Sequence, residues 1–211
     1  MNADDVKVIK KKTAFRGYFR LDQYVFQHKQ FEGGWGAEIS REVLERGHAA
    51  CCLLYDPDLD ELVMIEQFRP GAFAALQSPW YDKTQDSPWE VEIVAGIIED
   101  GESPEVLVRR ESLEESGCEI QQLELIDKYL VSSGCSSETQ FLFCGKIDAN
   151  QALGIHGLAE EGENIRVFRI TVNDAFTRLD AGSFNNATIL VAMHWFRHNH
   201  PRLKSQWRSL A

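Results

Sequence analysis

The chain has 211 residues, of which 44% are hydrophobic and 26% charged, so it can fold as one substantial domain with a small appendage. Its formal net charge of −11 argues against nucleic acid or an anionic membrane as a partner attracted over long range. Residues 1–15 lack the apolar stretch of a signal peptide, and the five cysteines form no CxxC motif. We therefore expect a cytoplasmic protein with reduced thiols and no membrane segment.

The N-terminal region, residues 1–48, alternates apolar and polar positions in short runs at 19–26 and 37–44. A period of two predicts two or three β-strands, and a cluster of glycines at 33–36 marks a turn. So few strands are marginally stable alone. We therefore expect a small antiparallel β-subdomain that packs on the rest of the chain or on another subunit.

The pattern changes from residue 49 onward. A continuous apolar run at 49–55 predicts a buried strand, and a second strand follows at 62–68. Residues 69–89 contain three prolines and no sustained period, which predicts a long loop, and loops of that length are usually functional. A further strand begins at 91–94, and Ala95 and Gly96 are expected to end it.

A helix is predicted next. Ser103 suits the N-cap, Pro104 suits the first helical position, and Gly117 is a natural C-terminal stop. Its expected apolar side comprises Val106, Leu107 and Leu113. Further strands are predicted at about 123–131, 139–146 and 164–170, and a last amphipathic helix at about 186–198. Strands interleaved with two helices predict an α/β/α sandwich around a mixed sheet, over residues 49–211.

Acidic residues are concentrated in the segment 96–118. Glu111, Glu114 and Glu115 follow Arg110, and Glu102 lies upstream in a glycine-rich turn. Residues three or four apart share a helical face, and like charges there destabilise a helix by a few tenths of a kcal/mol per pair. A cation that neutralises them would be Mg²⁺, Mn²⁺ or Ca²⁺, which prefer oxygen ligands. Three glutamates alone are more typical of a solvated helix face than of a metal site.

The same segment fits the pattern Gly-x5-Glu-x7-Arg-Glu-U-x-Glu-Glu-x-Gly-U, where U is bulky and apolar. This pattern resembles the Nudix box, the signature of the Nudix hydrolase family. The seven matching positions are Gly96, Glu102, Arg110, Glu111, Glu114, Glu115 and Gly117. Ser112 and Cys118 depart at the two U positions, which face the core, so they bear on packing more than on chemistry.

The resemblance implies a Nudix-type sandwich fold and a divalent metal, Mg²⁺ or alternatively Mn²⁺. The implied ligands are the Ala95 carbonyl, Glu111 and Glu115, with Glu114 in support. Arg110 would hold Glu102 or a helix carboxylate in position, and Glu115 and Arg110 would both belong to the catalytic apparatus.

A second acidic segment, residues 156–167, resembles the catalytic loop of ADP-ribose pyrophosphatases within the Nudix family. By this resemblance Glu161 is the general base and Glu163 a metal ligand, although Glu160 remains an alternative base. From composition alone the segment is as easily an ordinary polar loop.

The resemblance to this subgroup extends to residues 45–49, 65–69 and 94–96. It implies a homodimer in which N-terminal strands are exchanged or shared between subunits. The candidate substrate-binding residues are Tyr18, Arg41, Arg69, Ser133 and Glu138. Ser133 stands where the subgroup typically has a proline, and the long 70–88 loop is extended, so the nucleotide-sugar stays open.

We therefore expect Mg²⁺-dependent hydrolysis of ADP-ribose to AMP and ribose 5-phosphate. One alternative is a pyrophosphatase for another nucleotide-sugar such as GDP-mannose. A different class is a sensor that binds ADP-ribose without hydrolysis, but such a protein should have lost box glutamates, and all are present here. A calcium-buffering protein would need a DxDxDG loop, which the sequence lacks.

Overall fold

A computed structural model describes residues 1–84, 86–158, 160 and 162–208. Within these residues the chain forms eleven β-strands and four α-helices. Contacts divide it into two compact units. The first comprises Met1–His48 and Tyr129–Gln140, and the second comprises Ala49–Lys128 and Phe141–Ala211.

The first unit contains a three-stranded antiparallel sheet in the order β1-β2-β3. Its strands are β1 (Val6–Arg16), β2 (Arg20–His28) and β3 (Ile39–Glu45). The predicted apolar runs correspond to β2 and β3. They miss β1, because all of its residues are exposed and five of them are lysine or arginine, so it has no alternating apolar face.

The second unit is built on an eight-stranded sheet in the order β10-β11-β5-β4-β9-β8, with β6 paired to β5 and β7 paired to β4. The strands are β4 (Ala49–Asp56), β5 (Glu61–Phe68), β6 (Trp89–Glu92), β7 (Val94–Ile97), β8 (Gln122–Leu130), β9 (Thr139–Lys146), β10 (Gly154–His156) and β11 (Ile165–Thr171). The helices are α1 (Pro70–Ala75), α2 (Pro104–Ser116), α3 (Val172–Asp180) and α4 (Ala187–Trp207).

Strand β4 lies at the centre of this unit and is buried along its whole length. Cys52 and Leu54 belong to a core cluster that also contains Leu107 of α2. Tyr55 instead packs edge-on against Phe196 of α4, with ring centroids 4.9 Å apart. Since successive residues of a strand point to opposite faces, α2 and α4 cover opposite faces of the sheet. The predicted α/β/α sandwich is confirmed.

Both predicted ends of α2 are confirmed. The Ser103 hydroxyl accepts a hydrogen bond from the Val106 N–H at 3.3 Å, and Gly117 ends the helix with φ 71°. The predicted inward face is wrong, because Val106 and Leu113 are 57% and 52% exposed. The buried residues are Leu107, Val108, Ser112, Glu115 and Ser116.

Serines fill part of this inward face because their hydroxyls are satisfied locally. The Ser112 hydroxyl donates to the Cys118 carbonyl at 2.7 Å, and the Ser116 hydroxyl donates to the Ser112 carbonyl at 2.6 Å. A buried hydroxyl with a partner avoids most of the desolvation penalty. Ser112 and Cys118 therefore occupy the two predicted core positions without leaving a polar atom unpaired.

Other boundaries differ from the prediction. Helix α1 lies inside the expected 69–89 loop, and the strand expected from residue 91 begins at Trp89 as β6. Ala95 and Gly96 continue as β7 instead of ending a strand. Helix α3 was not predicted. Helix α4 continues past Pro201 because Leu203 and Trp207 extend its buried face. No helix among the described residues is both long and apolar enough to cross a membrane.

Candidate active site

Arg110 on α2 joins three of the predicted carboxylates. Its Nη1 atom lies 2.7 Å from Glu114 Oε2 and 3.0 Å from Glu111 Oε1, and its Nε lies 3.2 Å from Glu102 Oε1. The hydrogen bond from Arg110 lowers the pKa of the Glu102 carboxyl. Arg110 therefore organises the acidic cluster and ties the turn before α2 to the helix.

Two carboxylates of α2 lie against the backbone of β7. The buried Glu115 accepts a hydrogen bond from the Ala95 N–H at 2.9 Å. Burial raises the pKa of Glu115 to about 8, although the hydrogen bond from Ala95 opposes the shift. Burial also raises the pKa of Glu111 to about 7, against the opposing charge of Arg110. The ionised forms of both carboxylates are therefore destabilised by burial unless a further cation lies beside them.

Gly96 is required by the position of the Glu111 carboxylate. A Cβ atom at residue 96 would lie 2.1 Å from Glu111 Oε1 and 2.5 Å from its Cδ. Any side chain at this position would push the carboxylate away from the β7 backbone. The glycine that opens the predicted motif therefore makes room for an acidic group.

The second acidic segment supplies a third carboxylate. Glu163 accepts a hydrogen bond from the Leu158 N–H at 2.9 Å, which closes the loop that contains it. Its negative charge helps to raise the pKa of both Glu111 and Glu115, so the three carboxylates share one region. The predicted base, Glu161, lies outside the described residues, and its alternative Glu160 is exposed.

The donor chemistry of this region fits a divalent metal. Each of the three carboxylates gives one oxygen to a protein donor: Arg110, the Ala95 N–H or the Leu158 N–H. In the part of the chain that the structure describes, no three acidic, histidine or cysteine side chains already converge as ligands. The groups are nonetheless hard oxygens whose negative charge suits a divalent cation.

The predicted substrate residue Arg69 is paired with a carboxylate that the sequence analysis missed. Arg69 Nε donates to Glu92 Oε2 at 2.8 Å, and Asn186 Nδ2 donates to Glu92 Oε1 at 2.8 Å. Glu92 is only 8% exposed. A sequence signal existed, because acidic residues at 90 and 92 occupy alternate positions of a short strand just before Ala95.

The other candidate substrate residues belong to the first unit. Tyr18 is 87% exposed, and its ring packs edge-on against Phe19. Arg41 is exposed and donates to the Ser40 carbonyl at 2.7 Å. Glu138 is buried and forms an ion pair with Arg46 at 3.3 Å. Ser133 is exposed in the turn between β8 and β9.

Replacing Gly96 by Ala should remove most hydrolytic activity with little loss of stability. The new Cβ meets the flexible end of Glu111, which can swing away at small energetic expense, but the carboxylate then leaves its position beside β7. We expect kcat/KM to fall by roughly 100-fold, since small misplacements of catalytic groups have effects of that size. Gly71→Ala is the control, because nothing lies within 4 Å of its added Cβ. An active Gly96→Ala enzyme, or one that fails to fold, would contradict this account.

Comparisons with known proteins place the chain among enzymes of one family. A family model described as NUDIX domain matches residues 45–190. The chain is 42% identical to the ADP-ribose pyrophosphatase of Escherichia coli (strain K12), over 97% of this chain and 93% of the relative. It is 34% identical to the ADP-ribose pyrophosphatase of Haemophilus influenzae, over 97% and 91%.

Two further matches are more distant in sequence. The chain is 28% identical to the GDP-mannose pyrophosphatase of Yersinia pestis, over 85% of both chains. A solved structure described as an ADP compounds hydrolase superposes with a TM-score of 0.69 over 97% of both chains at 19% identity. At that identity the structural match supports the fold alone.

Proposed function

Because the chain belongs to the Nudix family, we propose that it hydrolyses the diphosphate of ADP-ribose to AMP and ribose 5-phosphate. The observation that carries the proposal is that Glu111 and Glu115 lie against the β7 backbone, with the charge of Glu163 near enough to influence both. The relatives at 42% and 34% identity, both ADP-ribose pyrophosphatases, support the substrate.

The three carboxylates and the Ala95 carbonyl would hold Mg²⁺, or Mn²⁺, with Glu114 in support. When bound, such an ion polarises phosphoryl oxygens and lowers the pKa of a coordinated water. Arg110 keeps Glu111 and Glu114 in place. Glu161 would accept the proton of the attacking water as general base, in keeping with the resemblance of its loop to that of ADP-ribose pyrophosphatases.

The remaining substrate contacts are proposed from the resemblance to ADP-ribose pyrophosphatases. Arg69 would bind the diphosphate, since a guanidinium presents several donors to phosphate oxygens. Tyr18, Arg41, Ser133 and Glu138 would contact the nucleoside or the terminal ribose. The N-terminal sheet would form a homodimer by exchanging or sharing strands. The activity would be cytoplasmic, since five cysteines without a CxxC motif suit a reducing compartment.

A substrate panel tests the proposal. With Mg²⁺, we expect ADP-ribose to be hydrolysed faster than other ADP-sugars, dinucleotides and GDP-mannose, with AMP and ribose 5-phosphate as products. GDP-mannose is the second candidate, since one relative at 28% identity is a GDP-mannose pyrophosphatase. Binding of ADP-ribose without turnover of any compound would instead support a sensor. Glu111→Gln with wild-type activity on every substrate would refute the metal mechanism.

Metal binding should also stabilise the folded protein in a pH-dependent way. The ion must replace protons on Glu111 and Glu115, whose pKa values are about 7 and about 8. Added Mg²⁺ or Mn²⁺ should therefore raise Tm more at about pH 8.5 than at about pH 6.5. Differential scanning calorimetry with and without EDTA measures the effect. Glu111→Gln should reduce it, and an equal metal effect at both pH values would contradict the assignment.

A further inference from the structure

We infer that Glu92 is a positioning residue, which holds the guanidinium of Arg69 ready for the substrate diphosphate. The inference rests on the proposed function, because it concerns how the diphosphate is bound. Glu92 touches neither the reacting atoms nor the metal ligands in this account. Its effect passes through Arg69.

Both oxygens of Glu92 are occupied by charged or polar donors. Oε2 accepts from Arg69 Nε at 2.8 Å, and Oε1 accepts from Asn186 Nδ2 at 2.8 Å. A carboxylate that is 8% exposed is stable as an anion only with such partners. The hydrogen bond from Asn186 therefore orients the Glu92 side chain, and Glu92 in turn orients Arg69.

The partner on the other side of Glu92 is itself rigid. Asn186 is the N-cap of α4, and its side-chain oxygen accepts a hydrogen bond from the Ile189 N–H at 3.2 Å. The same amide thus caps a helix through Oδ1 and holds Glu92 through Nδ2. Because both ends of the amide are used, the start of a long helix fixes the carboxylate.

Arg69 is held at two points but keeps donors for a ligand. Its backbone N–H donates to the Pro88 carbonyl at 2.7 Å, and its head is fixed through Nε. Among the described residues, no protein acceptor is hydrogen-bonded to its two terminal nitrogens. A guanidinium has five N–H donors, so those on the terminal nitrogens remain for phosphate oxygens. The side chain is 40% exposed, so a ligand can reach it.

Arg69 also lies close to the acidic cluster. Its partner Glu92 ends β6, and the Ala95 N–H in the following strand, β7, donates to Glu115 at 2.9 Å. A diphosphate beside Glu115 would therefore be near Arg69. An arginine free to rotate would have to be ordered when the ligand binds, whereas the pair with Glu92 orders it beforehand.

The first test uses binding of ADP, which carries the diphosphate but need not be hydrolysed. Calorimetric titration with ADP and Mg²⁺ should give a Kd about 10-fold higher for Glu92→Gln than for wild type. Asn186→Asp should behave similarly, because Asp is an equally good N-cap but opposes Glu92 with a second carboxylate. Glu124→Gln is the control, since it removes the carboxylate of another arginine pair, 2.6 Å from Arg202.

A double-mutant cycle separates positioning from a merely structural role. If Glu92 acts through Arg69, Glu92→Gln should weaken ADP binding in the wild-type background but have no further effect in an Arg69→Met background. The Glu92→Gln substitution should also shift the ¹⁵N–¹H signal of Arg69 Nε in the ligand-free protein. Equal losses in both backgrounds, or a lowered Tm with unchanged ADP affinity, would overturn the inference.

The kinetic readout distinguishes this inference from the proposed function. On the panel compound that wild type hydrolyses fastest, Glu92→Gln should raise KM about 10-fold while kcat changes much less. If that compound is not ADP-ribose, the proposed substrate is wrong, yet the cycle still decides the role of Glu92. If ADP-ribose is the substrate and KM is unchanged, the inference about Glu92 fails alone.

Discussion

Glu115→Gln should abolish hydrolysis and, at alkaline pH without metal, make the protein more stable. The activity loss follows from removing a proposed metal ligand, which supplies several kcal/mol of transition-state stabilisation. We therefore expect kcat to fall by roughly 1,000-fold or more. The gain in stability follows from burial, because the carboxylate is 3% exposed and its pKa is raised to about 8.

The sign of the stability change depends on pH. An acid with a raised folded-state pKa destabilises the fold as the pH rises from its unfolded value, 4.5, through about 8. Each pKa unit corresponds to about 1.4 kcal/mol. Gln is neutral at every pH and can still accept the hydrogen bond from Ala95. The variant should therefore melt at least ~3 °C above wild type at about pH 9 in EDTA, and show little difference at about pH 4.5.

The control is Glu105→Gln, which removes an exposed carboxylate from the first turn of the same helix. It should keep its activity and show no pH-dependent gain in Tm. Saturating Mg²⁺ should reverse the order for Glu115→Gln, because wild type then gains binding energy that the variant lacks. A Glu115→Gln protein that is inactive but less stable than wild type at pH 9 would show that the ionised Glu115 carboxylate does not destabilise the fold.

Local sequence information was sufficient for α2 and for the acidic motif on it. The Ser103 cap, Pro104 and the Gly117 stop are short-range signals, and the structure has both ends as predicted. The inward face of α2 is predicted wrongly from the same local information, because a ranking by hydropathy favours Val106 and Leu113 over serine. Ser112 and Ser116 are buried through hydrogen bonds within their own helix and turn, which a hydropathy pattern does not contain.

Contacts between distant segments explain what the sequence did not reveal. Glu92 has two hydrogen-bond partners that are distant along the chain. Arg69 is 23 residues away from it and Asn186 is 94 residues away. The burial that raises the pKa of Glu111 and Glu115 comes from tertiary packing. The motif therefore predicts these residues as metal ligands but does not predict their raised pKa values. The sequence does not predict β1 for the opposite reason: all of its residues are exposed, and only its pairing with β2 defines it.

The second large effect is expected for Glu161, the proposed general base. Glu161→Gln should lower kcat by roughly 100- to 10,000-fold, the range for losing a positioned acid or base, while KM changes little. The variant should keep the Mg²⁺-dependent rise in Tm, because Glu111, Glu115 and Glu163 remain. This combination separates the base from the metal ligands, whose replacement should reduce the rise in Tm as well as the rate.

Glu160→Gln is the matched comparison, since the two glutamates are neighbours and the sequence leaves open which of them is the base. If Glu161 is the base, the log of kcat should lose its low-pH dependence only in Glu161→Gln, and Glu160→Gln should keep the wild-type profile. The reverse pattern would move the role to Glu160 without disturbing the metal assignment. Equal, small losses in both variants would mean that neither takes the proton, and that the base lies outside this loop.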